Sequence, residues 1–374
     1  MTKHAILLSF LLCTACAQPP LVAESELAQT ALPEQLQNFS LSDKPVREIQ
    51  GWQRPSRILV AFGAAGLITG EEDFLDGIEV VTIPGAVPTE KLNGQFDAIF
   101  TMCAAPQILS AINDTLWVHS YSAGVEGCLS HQQMRDAPDI LLTNSRGAAA
   151  EVIAEHAIAM MLSLGRQLHL FRDAMAEGKW DRNAGVQQNY RAVNGQTMLV
   201  LGLGSIGRET AKRAHGLGMK VVATRNSSRE GPDYVSYVGL SSEAMELAAK
   251  ADVVVNALPL TEKTRHLINE EFLAAMPAHS MLINVGRGGS VDTNALIAAL
   301  QNGSIGSAGL DVTEPEPLPS SSPLWSMPNV LITPHIAASS RQAMDLTRLI
   351  ARENLKRYIA GEKLINPVNR SRAY

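Results

Sequence analysis

Short apolar runs alternate with longer amphipathic segments along most of the chain. The apolar runs are of strand type and lie at 57–62, 96–102, 116–120, 197–203, 220–224, 252–258, 281–285, 309–312 and 330–333. Apolar residues recur at helical spacing in 151–167, and helices are also predicted at 206–217, 242–250, 292–302 and 339–360. Strands that are apolar throughout are typical of parallel sheets covered by helices on both faces. The pattern therefore predicts an α/β fold of doubly wound parallel sheets.

A glycine-rich loop joins one predicted strand to the helix that follows it. Gly202, Gly204 and Gly207 form the pattern G-x-G-x-x-G, and Ser205 and Ile206 begin the helix. Glycine at these positions allows a tight turn, a close approach of pyrophosphate to the backbone, and close packing of the helix on the strand. The helix N-terminus favours the negative charge of the pyrophosphate. This context favours a Rossmann dinucleotide site over a purely structural turn.

The next strand ends in residues that bear on the choice of cofactor. NAD sites usually carry an acid here, which binds the ribose hydroxyls. This chain has Arg225 and Asn226 instead, with Arg229 close behind and no acid between Val221 and Arg229. A guanidinium can bind a 2′-phosphate through charge-assisted hydrogen bonds, so NADP is favoured. The alternative is that NAD binds while Arg225 is a solvated residue stacking on the adenine.

Charged residues cluster after three strands in the C-terminal half. Arg287 lies in NVGRGGSVD, Asp311, Glu314 and Glu316 lie in DVTEPEP, and His335 lies in TPH. Ligands of open α/β sheets bind beyond the carboxyl ends of the strands. A guanidinium suits bidentate capture of a carboxylate, and a histidine beside a carboxylate can donate a proton near neutral pH. These side chains have the chemistry that reduction of a 2-keto acid requires.

Taken together, these motifs resemble the D-isomer-specific 2-hydroxyacid dehydrogenases, which include glyoxylate/hydroxypyruvate reductases. GLGSIGR, NVGRG, DVxxxEP and TPH occur in the family's order, and matching stretches run from about residue 57 to residue 367. The resemblance implies that Arg287 binds the substrate carboxylate and carbonyl oxygen. It also implies that His335 donates the proton and that Glu316 pairs with His335. Glu314 is an acid that the family pattern does not require.

The resemblance implies further site residues. The stretch 119–127, HSYSAGVEG, places Ala123 and Gly124 where the family binds the substrate carboxylate with backbone N–H groups. The implied cofactor-lining positions are Pro259, Thr264, Val285, Gly286, Asp311 and Ala337. Formate dehydrogenases of the superfamily have Gln where Glu316 stands, which argues against formate as the substrate.

The expected architecture is a Rossmann domain inserted into a second domain. Residues 146–335 form the cofactor domain, and 55–145 with 336–374 form a flavodoxin-like substrate domain. A tether is expected over 17–54. The expected activity is reversible reduction of a small 2-keto acid, of the glyoxylate or hydroxypyruvate class, to a D-2-hydroxy acid with NAD(P)H. A homodimer through the Rossmann domains is implied, and the alternative function is a dinucleotide-binding regulatory module without turnover.

The amino-acid composition limits which partners the protein is expected to bind and which class of protein it belongs to. Hydrophobic residues make up 46% and charged residues 18% of the chain, which excludes disorder for most of it. The formal net charge of −6 argues against a nucleic-acid binder, since neutralising phosphates requires a basic surplus. No metal site is expected. Cys103 and Cys128 are interpreted as small buried hydrophobic residues, with a disulfide as the alternative if the chain is exported.

Residues 1–16 resemble a bacterial export signal. A polar start is followed by the apolar stretch 5–12, which is too short to span a bilayer. Cys13-Thr14-Ala15-Cys16 resembles a lipobox in which Cys13 replaces the usual Leu, and Cys16 would carry the lipid. We expect an exported lipoprotein of the outer membrane or periplasm, which contacts membrane only through this anchor. The alternatives are cleavage at 15–17 to give a soluble periplasmic protein, and a cytoplasmic protein with a mis-called start codon.

Overall fold

The computed structural model describes residues 31–61, 73–83, 92, 94–185 and 191–370. The first sheet has five parallel strands in the order β2-β1-β3-β4-β5. They are β1 (Arg57–Ala61), β2 (Glu79–Ile83), β3 (Ala98–Thr101), β4 (Trp117–Ser120) and β5 (Leu141–Asn144). Its helices are α1 (Pro106–Leu109), α2 (Glu126–Ser130) and α3 (Gln132–Asp136), and the long helix α4 (Ala150–Arg166) follows β5.

The second sheet has seven parallel strands in the order β12-β11-β10-β9-β6-β7-β8. Its strands are β6 (Thr197–Leu201), β7 (Lys220–Thr224), β8 (Tyr237–Gly239), β9 (Val253–Asn256), β10 (Met281–Asn284), β11 (Ser307–Leu310) and β12 (Val330–Ile332). The helices that follow α4 along the chain are α5 (Phe171–Ala176), α6 (Ser205–Gly216), α7 (Ala244–Ala248), α8 (Glu270–Ala275), α9 (Thr293–Asn302) and α10 (Arg341–Ile359). The predicted α/β class with two parallel sheets is confirmed.

The continuous apolar character of the strands reflects burial on both faces of each sheet. Leu199 and Leu201 of β6 pack in one hydrophobic cluster, whereas Met198 and Val200 pack in another. Successive side chains of a strand point to opposite faces, so the two clusters lie on opposite sides of the sheet. The strands of the first sheet divide their side chains between two clusters in the same way.

Two helices carry the chain between the sheets. Helix α4 follows β5 of the first sheet but packs on α6, β10 and β11 of the second. Helix α10 follows β12 of the second sheet but packs on the first, where Tyr358 stacks on Trp117 with ring centroids 4.6 Å apart. The seven-stranded unit is therefore inserted between the two chain segments that build the five-stranded unit.

The N-terminal segment corrects the expectation of a tether. Residues 31–54 pack on the first unit, with Leu36 and Val46 fully buried. Leu41 forms an antiparallel bridge with Ile365, and the Ser42 N–H donates to the carbonyl of Leu364 at 2.8 Å. The apolar residues of this segment are isolated among prolines, so the sequence shows no helix or strand periodicity there. In the structure they fill a groove beside α10. Residues 1–16 with Cys16, the tether residues 17–30 and the last four residues lie outside the described part of the chain.

Several short elements carried too little pattern to be predicted. Strands β2, β5 and β8 are missing from the predictions, as is α8, whose N-cap Asn269 accepts a hydrogen bond from the Phe272 N–H. Strand β2 lies at an edge of its sheet and is partly exposed, so its residues show no continuous apolar run.

In the described ranges, no helix is both long and apolar enough to cross a bilayer.

A disulfide joins Cys103 to Cys128, which corrects their interpretation as free hydrophobic residues. Cys103 follows β3, and Cys128 lies in α2 after the neighbouring strand β4. Both residues are buried. Parallel pairing brings the carboxyl ends of the two strands to the same edge of the sheet, which places residues 25 positions apart in sequence within bonding distance. The bond therefore fastens α2 to the sheet.

We expect Cys103→Ser/Cys128→Ser to lower the free energy of unfolding by about 2–4 kcal/mol, because it frees a closed loop of this length in the unfolded chain. Urea titration of the oxidised protein measures the change. Dithiothreitol should shift wild type toward the variant and leave the variant itself unchanged. Equal midpoints for wild type and variant under oxidising conditions would contradict the prediction.

Candidate active site

The glycine-rich loop leaves the first turn of α6 open. Gly202 has a positive φ of +91°, and a Cβ on Gly207 would overlap the Gly202 carbonyl oxygen. A Cβ on Gly204 would meet no heavy atom within 4 Å, so its outer side is clear. No side chain caps the helix, and the first backbone N–H groups of a helix, here those of Ser205 and Ile206, have no partner within it. The loop fits a dinucleotide pyrophosphate, as its sequence predicts.

Three buried polar side chains hold the neighbouring wall of the cleft. Asn256 at the end of β9 donates from Nδ2 to Asn284 Oδ1 at 2.8 Å and to Ser290 Oγ at 2.6 Å. Asn284 Oδ1 also accepts from the Gly286 N–H at 3.2 Å. The sequence analysis did not identify these residues, although polar side chains ending otherwise apolar strands were the available signal. They fix the path of Val285 and Gly286, two predicted cofactor-lining residues.

A compact loop after β9 contains the other two predicted lining residues of this wall. Thr264 Oγ1 donates to the Pro259 carbonyl oxygen at 2.7 Å and accepts from the Thr261 N–H at 2.8 Å. The side chain of Leu260 lies 3.2 Å from where a Cβ of Gly289 would be. Pro259 and Thr264 are therefore held together, against the loop that carries Arg287.

The end of β7 lies beside the glycine loop. The Leu203 N–H donates to the Thr224 carbonyl at 2.9 Å, which places Arg225 next to that loop. Arg225 Nη1 donates to the Glu230 carbonyl at 3.3 Å, and Asn226 is exposed.

Arg229 is paired with two side chains that follow it in sequence. It donates to Tyr237 Oη at 2.9 Å and pairs with Glu243 at 2.7 Å. Its hydrogen bond is the main cause that lowers the pKa of Glu243 to about 2. That Arg225 and Asn226 discriminate between the cofactors stays a prediction.

His335 and Glu316 meet at the edge of the second sheet. His335 Nδ1 lies 2.5 Å from Glu316 Oε1, and both side chains are partly exposed. The His335 backbone has a φ of +54°, uncommon for a non-glycine residue, and its N–H donates to the Asp311 carbonyl at 2.8 Å. The structure thus brings together the histidine and the carboxylate that the motifs suggested.

The Asp311 side chain holds the loop that carries His335. Asp311 Oδ1 accepts from Thr333 Oγ1 at 2.6 Å and from the Ile336 N–H at 2.9 Å, and Oδ2 accepts from the Ala337 N–H at 3.0 Å. His156 of α4 lies with Nε2 2.9 Å from Thr333 Oγ1. Asp311 therefore positions the loop that carries His335, a role the sequence did not indicate. That Asp311 and Ala337 also line the cofactor site stays a prediction.

Glu314 fastens the loop after β11, which carries Glu316. Its carboxylate pairs with Arg265 at 2.7 Å and with His266, and its backbone carbonyl accepts from Thr293 Oγ1 at 2.6 Å. The hydrogen bond from His266 is the main cause that lowers the Glu314 pKa. Glu314 thus anchors the strand-end loop two residues before Glu316.

Arg287 reaches across the cleft to the loop after β4. Its Nη2 lies where a Cβ on Gly124 would be, and its Nε donates to Glu126 Oε1 at 3.2 Å. The Arg287 carbonyl accepts from Ser290 Oγ at 2.6 Å, which fixes its backbone. In the facing loop, Asn144 Nδ2 donates to the Ala123 carbonyl at 2.8 Å. Ala123, Gly124 and Arg287 therefore come together, and Glu126 joins them although the sequence analysis did not select it.

Comparison with known proteins agrees with this geometry. The family described as "D-isomer specific 2-hydroxyacid dehydrogenase, NAD binding domain" matches residues 158–337. Glyoxylate/hydroxypyruvate reductase B of Yersinia pestis is 37% identical over 232 residues, which cover 61% of this chain and 71% of that protein.

Solved structures give the same result over more of the chain. A D-isomer specific 2-hydroxyacid dehydrogenase family protein from Aeromonas salmonicida is 32% identical with a TM-score of 0.72, covering 85% of this chain and 100% of that one. An NADPH-dependent glyoxylate/hydroxypyruvate reductase from Sinorhizobium meliloti, in complex with NADP and malonate, is 28% identical with a TM-score of 0.69, covering 85% and 98%. The chain therefore belongs to the D-isomer specific 2-hydroxyacid dehydrogenase family.

Proposed function

We propose that this protein reversibly reduces small 2-keto acids, of the glyoxylate or hydroxypyruvate class, to D-2-hydroxy acids with NAD(P)H. The observation that carries the proposal is the meeting of Arg287 with Gly124 across the cleft, together with the His335–Glu316 pair. A cationic side chain for a carboxylate and a proton donor for a carbonyl oxygen are the two protein groups that this reaction needs. The relatives named as glyoxylate/hydroxypyruvate reductases support the substrate class.

The residues have separate tasks in this reaction. Arg287 and the backbone N–H groups of Ala123 and Gly124 bind the substrate carboxylate, and Arg287 also polarises the carbonyl oxygen. His335 donates a proton to that oxygen during reduction and accepts one during oxidation. Glu316 accepts a hydrogen bond from Nδ1 of His335, which orients the ring. A nicotinamide cofactor, when bound, supplies or takes up the hydride.

Binding of the cofactor falls to groups of the second unit. The N-terminus of α6, with Ser205, Ile206 and Gly207, would hold the pyrophosphate. Pro259, Thr264, Val285 and Gly286 would line the nicotinamide side. Arg225 and Asn226 favour NADP over NAD because no acid occupies this strand end to oppose a 2′-phosphate. The relative in complex with NADP supports that choice.

We also propose that the protein forms a homodimer. Leu168, Met175 and Trp180, which follow α4, are 60%, 69% and 92% exposed. Large apolar side chains exposed together are typical of protein–protein contact surfaces. We assign this surface to a second copy of the chain.

Export is proposed for the same protein, with Cys16 as the site of lipid attachment. The Cys103–Cys128 disulfide supports it, because such bonds persist in oxidising compartments and are rare in the cytosol.

The rival function, a binding module without turnover, is favoured by the scarcity of dinucleotide outside the cytoplasm. The paired Glu316 and His335 argue for turnover.

His335→Ala should lower kcat by roughly 10²–10⁴-fold, because it removes general acid–base catalysis. Arg287→Ala should also raise the KM for glyoxylate strongly, since the substrate carboxylate loses its bidentate partner. NADPH oxidation followed by absorbance measures both. His215→Ala, an exposed histidine at the end of α6, is the matched control and should keep wild-type kinetics. Wild-type turnover in either site variant would contradict the assigned roles.

The kcat/KM with NADPH should exceed that with NADH by about tenfold or more, as one or two charged hydrogen bonds provide. Arg225→Asp should invert the preference, because it removes the cation and restores an acid. Lys212→Asp, the same change of charge on the exposed side of α6, should leave the ratio unchanged. An NADH preference that Arg225→Asp does not alter would mean that Arg225 stacks on the adenine instead.

Light scattering after size exclusion should give the mass of a dimer. Trp180→Glu should shift the protein toward monomer, because it places a charge in the proposed contact. Met245→Glu introduces the same charge at a different exposed apolar residue, on α7, and should not alter the mass. A dimer unaffected by Trp180→Glu would place the interface elsewhere.

Expressed in a Gram-negative host, the full chain should fractionate with membranes. Cys16→Ser should abolish lipid attachment, whereas Cys13→Leu restores the usual lipobox residue and should keep it. Metabolic labelling with palmitate and cell fractionation measure both. A wild-type protein found wholly in the cytosol at full length would support the mis-called start instead.

A further inference from the structure

We propose that Glu126 determines substrate specificity by placing a negative charge beside the carboxylate-binding group of the site. This inference rests on the proposed function. Glu126 Oε1 accepts from Arg287 Nε at 3.2 Å. Its other oxygen lies 2.7 Å from where a Cβ of Gly124 would be, and Arg287 Nη2 lies 2.1 Å from the same point. The anion of Glu126 therefore borders the space in which the substrate carboxylate binds.

The backbone of Glu126 is held firmly at this place. It begins α2, in which Cys128 is tied to Cys103 by the disulfide. A Cβ on Gly127 would overlap the carbonyl oxygen of Cys103, so the helix packs directly against the chain that follows β3. The backbone that carries Glu126 is therefore held beside Arg287, within reach of its side chain.

The pair is open to the cleft. The side chains of Arg287 and Glu126 are 32% and 36% exposed, so water and small ligands reach both. An ion pair with this exposure adds little to stability, and its loss should leave the fold intact. The placement of Glu126 is therefore better explained by an effect on the ligand than by an effect on folding.

A fixed carboxylate acts differently on two classes of 2-keto acid. One substrate carboxylate shares the cation of Arg287 with Glu126, and an uncharged hydroxymethyl group can donate a hydrogen bond to Glu126. A second carboxylate or a phosphate on the substrate places a further anion near Glu126. The cation that pairs with Glu126 among the described residues, Arg287, is then shared by three anions. Like charges a few ångströms apart repel, and this kind of repulsion is how sites reject near-relatives of their substrate. Glu126 should thus select monocarboxylates over 2-keto dicarboxylates.

Glu126→Gln tests this, because it keeps the shape of the side chain and removes its charge. The ratio of kcat/KM for glyoxylate to that for oxaloacetate should fall on the order of tenfold or more, by gain on the dicarboxylate. The KM for NADPH should not change. Glu126→Asp keeps the charge and should keep most of the discrimination. Glu151→Gln, an exposed glutamate in the first turn of α4, is the matched control and should behave as wild type.

Calorimetric titration with oxamate, a monoanion, and tartronate, a dianion, provides a readout that does not need turnover. Glu126→Gln should improve tartronate binding relative to oxamate by a similar factor. Turnover with unchanged ratios would overturn the role of Glu126 and leave the proposed function standing. Absence of turnover with a shifted binding ratio would overturn the proposed function and leave the role of Glu126. Should Glu126→Gln fail to fold, a wild type that turns over oxaloacetate as efficiently as glyoxylate would overturn the proposal by itself.

Discussion

The approach of Arg287 to the loop after β4 is the contact on which the rest of the site depends. The guanidinium belongs to the seven-stranded unit and the loop to the five-stranded unit, so this contact closes the cleft. It exists because residue 124 has no side chain, since a Cβ there would overlap the guanidinium. The guanidinium consequently lies directly against the backbone of Gly124, and a guanidinium is a group that suits a carboxylate.

Buried polar groups make this arrangement rigid. Asn256, Asn284 and Ser290 bond to one another and to the backbone around Arg287. Asp311 does the same for the loop of His335, with three donors on its carboxylate. Buried polar groups that are hydrogen-bonded in this way favour a single conformation, because any other leaves a desolvated group without a partner. The backbone segments that carry Arg287 and His335 are therefore positioned before a ligand binds.

The disulfide bears both on the geometry of the candidate site and on the compartment in which the protein is proposed to fold. Cys103 and Cys128 fasten α2, and α2 begins with the carboxylate that borders Arg287. A covalent bond in this place fixes one wall of the substrate space independently of the cofactor unit. It also agrees with a chain that folds under oxidising conditions, as the proposed export requires.

The sequence by itself determined those features that depend on local pattern. Continuous apolar runs encode strands buried on both faces, and the spacing of Gly202, Gly204 and Gly207 encodes a turn into a helix. Arg287, Glu316 and His335 could be selected because parallel strands place their carboxyl ends at one edge, whatever the order of the strands.

Tertiary structure decided the contacts between residues distant in sequence. The pairing of Cys103 with Cys128, of Arg229 with Glu243, and of Glu126 with Arg287 each needs the position of two elements relative to one another. The packing of residues 31–54 likewise needs a groove that exists only after α10 has returned to the first sheet. Local periodicity carries no information on such distances, because strand order and domain closure set them.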